Sequence, residues 1–148
     1  MKLRGTALAK LYSQADRWLI TLSRGRLGSR LRIAEALPDP PVLVLETTGR
    51  KTGKLRGTPL MYLQQSNGFV VVASNGGHSK HPAWWLNLSA EPRAFIRVGG
   101  KRLGVRAREL DGGERARVWD AFCAMYPGLT TYQSDTERAF PVVLLERL

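Results

Sequence analysis

The dipeptide Asn67-Gly68 sits between two apolar runs, Thr58 to Gln65 and Phe69 to Ser74. Such a pair predicts a tight type I′ turn, which forces the flanking runs into an antiparallel hairpin. A second hairpin is predicted at Gly99-Gly100, between Ala94–Val98 and Arg102–Leu110. Short apolar runs at Val42–Thr47 and Phe140–Arg147 bring the expected strands to six. Two helices interrupt them. One spans Pro82–Ala90, where proline in the first turn leaves no hydrogen bond unmade and Glu91-Pro92 stops the helix. The other starts near Asp111, with Asp111 and Glu114 spaced as a capping box, and ends before Pro127. The expected fold is mainly β with flanking helices: a six-stranded antiparallel sheet closed into a small barrel.

Ahead of this body, Leu8, Leu11, Ala15, Trp18, Leu19 and Leu22 recur at helical spacing with Lys10 and Arg17 between them. The expected organisation is therefore an amphipathic helical segment over 1–36 and a barrel domain over 37–148. At 148 residues and 43% hydrophobic, the chain can bury a real core. No apolar run is long enough for a membrane span, and no signal peptide is read at the N-terminus. The single Cys123 excludes an intramolecular disulfide, which makes a reducing cytoplasm the default compartment. With only His78 and His81 beside that cysteine, no metal site is expected.

The net charge of +11 is unevenly placed. Residues 1–36 carry +6, and Glu46–Thr58 carries +3. This distribution points to anionic partners at two places. In the second place, "ETTGRKTGKLRGTPL" puts Arg50, Lys51, Lys54 and Arg56 among glycines between two predicted strands. It is not a P-loop, because the glycine spacing is short, Leu55 follows the lysine and a strand follows instead of a helix. Two readings of the residues stay open: a solvated basic turn, or exposed N–H groups beside cations that suit a phosphate. A second loop, "ASNGGHSKHPAWW", runs from a strand through Gly76-Gly77 to a helix start, another arrangement that favours anions. His78 and His81 are read as loop or capping residues. Trp84 and Trp85 are adjacent on a helix and cannot share a face, so one belongs to the core and the other can line a flat aromatic ligand.

Together these loops, with "VGGKRLGVRARELDGGERARVWDAFCAMYPG" and "YQSDTERAFPVVLLE", resemble the deazaflavin-dependent nitroreductase family, small actinobacterial split-barrel proteins that use coenzyme F420. The resemblance covers about residues 42 to 148. It implies that Lys51 and Arg56, beside Arg50, hold the phosphate and acidic tail of the deazaflavin. It places Pro59, Ser74, Asn75, Gly76 and Gly77 along the cofactor and Trp84 at its ring. Tyr126 and Tyr132 stand at two positions of the family's substrate pocket. Three departures accompany them: Asn75 replaces a lysine, and Leu129 and Met61 replace tyrosines of the best-known pattern. The pocket is thus rebuilt.

The implied activity is hydride transfer from reduced F420 to a quinone-like, nitro or conjugated carbonyl acceptor, with Tyr132 as the candidate catalytic residue that hydrogen-bonds or protonates the reduced oxygen. The alternatives are an FMN oxidoreductase on the same fold and a noncatalytic binding protein. Specific nucleic-acid binding is not expected, because no RNA-recognition consensus or regular strand aromatics are present. The basic stripe of 1–36, with Trp18, fits peripheral contact with an anionic membrane face, and equally a helix packed on the barrel. The oligomeric state is not specified by the sequence.

Overall fold

The computed structural model describes residues 41–148; the helical segment expected over 1–36, and with it the membrane contact, lies outside them. Seven strands form one sheet: β1 (Val42–Thr48), β2 (Leu55–Met61), β3 (Leu63–Gln65), β4 (Gly68–Val72), β5 (Arg93–Val98), β6 (Lys101–Glu109) and β7 (Val142–Arg147). The order is β2-β1-β5-β6-β7-β4-β3, with every neighbouring pair antiparallel. The two outermost strands, β2 and β3, are consecutive pieces of one segment. The sheet therefore curls round on itself, closed through a chain that leaves β1 at Met61 and joins β4 from Leu63.

This corrects the expected strand count. The run Thr58–Gln65 is two strands because it changes partner: the β1–β2 register runs out with Tyr62, whose N–H donates to the Pro41 carbonyl at 3.1 Å, and from Leu63 the chain pairs with β4 instead. The Tyr62 ring meets Phe69 edge to face, with centroids 5.3 Å apart.

The hairpins also differ from expectation in their details. Gly99 and Gly100 have φ of +56° and +78°, and Val98 pairs with Lys101, so that two-residue turn is the left-handed kind. At the first hairpin Gln65 pairs with Gly68, which moves the turn to Ser66-Asn67, and Asn67 keeps a negative φ. Gly68 is needed for a different reason. A Cβ there would stand 2.1 Å from the Leu145 carbonyl oxygen of β7.

Three helices complete the described residues: α1 (Ala83–Ala90), α2 (Gly112–Met125) and α3 (Gly128–Ser134), the last not expected from the sequence. Asp111 is the N-cap of α2, but the expected capping box does not form. Glu114 instead holds Arg108 through two hydrogen bonds of 3.2 Å.

Two apolar clusters result. Leu43, Leu45, Phe69, Val71, Ile96, Val105, Val143 and Leu145 fill the barrel interior, where Trp84 and Leu88 of α1 join them. On the outer side of β4 and β7, Val70, Val72, Val142 and Leu144 pack against Val118, Phe122 and Leu129 of α2 and α3. Strands β4 and β7 are therefore covered on both faces, which explains why they read as unbroken apolar runs. No helix among the described residues is long and apolar enough to cross a membrane.

Gly68→Ala tests the close approach of β4 to β7. Because the clash is with backbone, it is expected to destabilise by roughly 3 kcal/mol, at the upper end of the usual overpacking range. A denaturant midpoint unchanged from wild type would refute the packing described here.

Candidate functional site

The β1–β2 ladder ends at the pair Thr48 and Leu55, leaving Gly49–Lys54 as the connecting turn. The Gly49 N–H donates to the Lys54 carbonyl and the Gly53 N–H to the Gly49 carbonyl, both at 2.7 Å. This turn is fastened to α1 by one buried amide. Asn87 Oδ1 accepts from the Arg50 backbone N–H at 3.1 Å and from Arg50 Nη1 at 3.2 Å. Asn87 Nδ2 donates to Thr47 Oγ1 at 3.1 Å. Thr47 and Asn87 are the two buried polar side chains among the described residues, at 1% and 5% exposure, and they satisfy each other.

With Arg50 so held, Lys51 and Arg56 stand exposed at the mouth of a cavity of about 420 Å³. Trp84, Ala83 and Asn87 of α1 line its other side. Glu46, the carboxylate nearest in sequence, faces elsewhere. It pairs with Arg97 and, at 2.9 Å, with Arg102.

The second loop leaves β4 through a short 3₁₀ turn, Asn75–Gly77, with φ of +48°, +63° and +80°. Asn is the non-glycine residue that best tolerates this region, and Asn75 Nδ2 also donates to the Lys80 carbonyl at 3.0 Å. Gly77 lies against α3, where a Cβ would come within 3.3 Å of the Tyr132 carbonyl oxygen. Farther along, Ser79, Lys80 and His81 line a second cavity of about 540 Å³, together with Arg50, Ala83, Leu86 and Arg138. Arg50 and Ala83 belong to both cavities, so the two adjoin as one trough.

Arg138 fastens this loop from the far end of the sequence. Nε donates to the His78 carbonyl at 3.2 Å, and Nη2 to the Ser74 and His78 carbonyls at 2.9 Å each. Nη1 donates to the Ala73 carbonyl at 3.0 Å and lies 3.1 Å from His81 Nδ1. The guanidinium also lies over the Phe140 ring, 4.8 Å from its centroid. Burial lowers its pKa from the ordinary arginine value.

The tyrosines occupy a different place. Tyr126 and Tyr132 lie with ring centroids 6.5 Å apart and pack, with Met61, against the outer apolar cluster. Burial, and then the neighbouring Tyr132 hydroxyl, push the Tyr126 phenol up to about 12, so it is neutral at physiological pH.

The structure thus brings Arg50, Lys51, Arg56 and Trp84 to one cavity. Ser74, Asn75, Gly76 and Gly77 shape the second loop without lining either cavity. Pro59 pairs with Val44 on the edge strand β2, where a missing N–H is tolerated. Leu129 is buried at 2% in the outer core beneath the tyrosine pair. The link between the tyrosines and the trough is the contact of Gly77 with Tyr132. Sequence reasoning missed Thr47, Asn87, Lys80 and Arg138. Of these, Lys80 alone carried a local signal, a cation inside the second loop.

Among the described residues, both cavities carry cations and neither is lined by a carboxylate. The model of the F420H(2)-dependent quinone reductase family matches residues 17–147. This chain belongs to that family. An F420H(2)-dependent quinone reductase of Mycobacterium tuberculosis is 40% identical over 128 residues, covering 84% of this chain and 83% of that protein. A solved F420-H2 dependent reductase, FDR-A, is 40% identical with a TM-score of 0.66, covering 72% of this chain and 94% of the other. A further structure, described as a domain-swapped dimer, is 32% identical with a TM-score of 0.67 and covers 95% and 100%. The family member described here is accordingly an oxidoreductase whose cofactor is F420 and whose acceptor is a quinone-like small molecule.

Asn87→Ala removes the amide that joins the turn to α1 and strands the buried Thr47 hydroxyl. It is expected to destabilise by about 1–3 kcal/mol. The expected readout is a lower denaturant midpoint with faster amide exchange at Arg50; unchanged exchange there would show that Asn87 does not hold the turn.

Proposed function

We propose that the trough is the cofactor site of this reductase, with the β1–β2 turn receiving the anionic tail. The observation that supports this is the one-signed lining: Arg50, Lys51, Arg56, Lys80 and Arg138 border the two adjoining cavities, with no Asp or Glu among the described residues that line them. A phosphate and an acidic tail suit that chemistry, since charge-assisted hydrogen bonds to cations are stronger than neutral ones.

When bound, reduced F420 supplies the hydride. The chain supplies the rest. Arg50 is held by Asn87 and keeps the turn in one geometry. Lys51 and Arg56, exposed and without an ion pair among the described residues, are the cations available to a ligand. Lys80 offers positive charge in the second loop, where Asn75 stands in place of the family's lysine. Trp84 gives an aromatic wall. The Tyr132 backbone lies against Gly77 and its ring packs beside that of Tyr126; its Oη is proposed to donate a hydrogen bond or proton to the reduced acceptor oxygen. Met61 and the tyrosine pair border the acceptor, and Leu129 supports them from below.

Each charge-assisted bond contributes roughly 1.5–3 kcal/mol, so Lys51→Ala and Arg56→Ala should each weaken F420 binding by about 10- to 100-fold. Lys54 lines neither cavity, and Lys54→Ala should change affinity little. Fluorescence titration with F420, and with FMN as competitor, checks both the site and the cofactor class. Equal small losses at all three positions would mean a diffuse positive field instead of a phosphate site. Tighter binding of FMN would reverse the cofactor assignment at this trough.

Tyr132→Phe should lower turnover with a quinone acceptor while leaving F420 affinity near wild type. A positioned proton donor is commonly worth about 10²- to 10⁴-fold. Full turnover in this variant would make Tyr132 a wall residue and leave protonation to water.

A further inference from the structure

Arginine has five N–H donors in one rigid plane. All five of those on Arg138 have protein acceptors within 3.2 Å, and every acceptor belongs to Ala73, Ser74, His78 or His81. The fork therefore spans the loop from its departure at β4 to the residue that precedes Pro82. Its own backbone is anchored in turn: Gln133 Nε2 of α3 donates to the Arg138 carbonyl at 2.8 Å, and Gln133 Oε1 accepts from the Phe140 N–H at 3.2 Å. Arginine cannot accept a hydrogen bond, so His81 Nδ1 must, which places the ring proton of a neutral His81 on Nε2.

We propose that Arg138 is a positioning residue for the cofactor: it fixes the Ser74–His81 loop and acts on the ligand through that loop without touching it. Its donors are already committed to the protein, so none remains for a phosphate or carboxylate. What it contributes is geometry, together with a positive charge whose hydrogen-bond partners are all neutral. The carbonyls of Ala73, Ser74 and His78 are all turned toward the guanidinium, and Lys80 and His81 are carried on the same segment. A lysine could supply the charge. It could not supply the planar fork. The inference rests on the reading of the trough as the F420 site.

The test uses the full chain as wild type, Arg138→Lys, Arg138→Gln, His81→Asn and His81→Phe, with Lys51→Ala alongside. Amide exchange is measured on the cofactor-free protein, F420 affinity by fluorescence, and steady-state rates at saturating F420 with a quinone. Arg138→Lys and Arg138→Gln should both speed exchange across residues 74–81 and weaken F420 binding by about 10-fold or more. The maximal rate should fall far less than affinity, because the reacting groups are intact once the loop is closed on its ligand. Because His81 itself lines the trough, this pair is read by loop exchange alone: His81→Asn, which keeps an acceptor, should leave exchange across residues 74–81 near wild type, and His81→Phe should speed it toward the Arg138 variants. The His81 pair interrogates the same fork should either Arg138 variant fail to fold.

Wild-type affinity in Arg138→Lys would show that charge alone matters and overturn the proposal. Weaker binding with unchanged loop exchange would overturn it too, because Arg138 would then touch the cofactor itself. Faster exchange with unchanged affinity would make the fork purely structural. Loss of affinity in Lys51→Ala alongside wild-type affinity in Arg138→Lys rejects the positioning role alone. Wild-type affinity in both rejects the trough as the F420 site.

Discussion

Closure of the sheet through the single segment Leu55–Gln65 sets the position of everything else. Because β2 pairs with β1 and β3 pairs with β4, the residues on either side of Tyr62 must reach opposite edges of the same sheet. That requirement curls the sheet, creates an interior, and leaves the β1–β2 turn and the loop after β4 at one opening. Helix α1 fills the opening with Trp84 and Leu88. The trough is what remains between the two loops and the start of that helix. Its existence follows from topology; its chemistry follows from which side chains the loops carry.

Two long-range polar clamps make the opening rigid. Asn87 joins α1 to the first turn, and Arg138 joins the approach to β7 to the second loop. Both use side chains with several donors or acceptors in a fixed plane. A planar group loses less freedom for each bond it makes than a flexible chain would. Loops held in this way can present backbone N–H groups and cations with little ordering left to do on binding, which is how preorganisation improves affinity.

Much of this was legible in the residues. Gly99-Gly100 fixed a turn because both positions demand positive φ, and the basic glycine-rich stretch stood out by charge alone. Order and spacing of the four matching segments carried the fold and the cofactor class. The break at Tyr62 was not legible, since Thr58–Gln65 has no breaker after Pro59 and the change of partner strand is imposed by sheet closure. Asn67-Gly68 marked the right hairpin for the wrong reason: the glycine answers to Leu145, a partner 77 positions away. Helix α3 begins at a glycine and contains paired threonines, so its local propensity is poor, and packing of Leu129 decides the matter. Asn87 and Arg138 were invisible for the same reason. Each looks ordinary locally, and its partners lie 37 to 65 residues distant.

The pairing of Glu46 with Arg97 and Arg102 has a consequence on the other side of the wall. Within β1, Glu46 alternates with Leu45 and Thr47, so the pleat turns the segment's own carboxylate outward while the threonine turns in toward Asn87. The strand thus acts as a partition between two electrical environments. Outside, opposite charges cancel across β1, β5 and β6. Inside the opening, the described residues that line the two cavities include cations and no carboxylate, so the field there keeps a single sign.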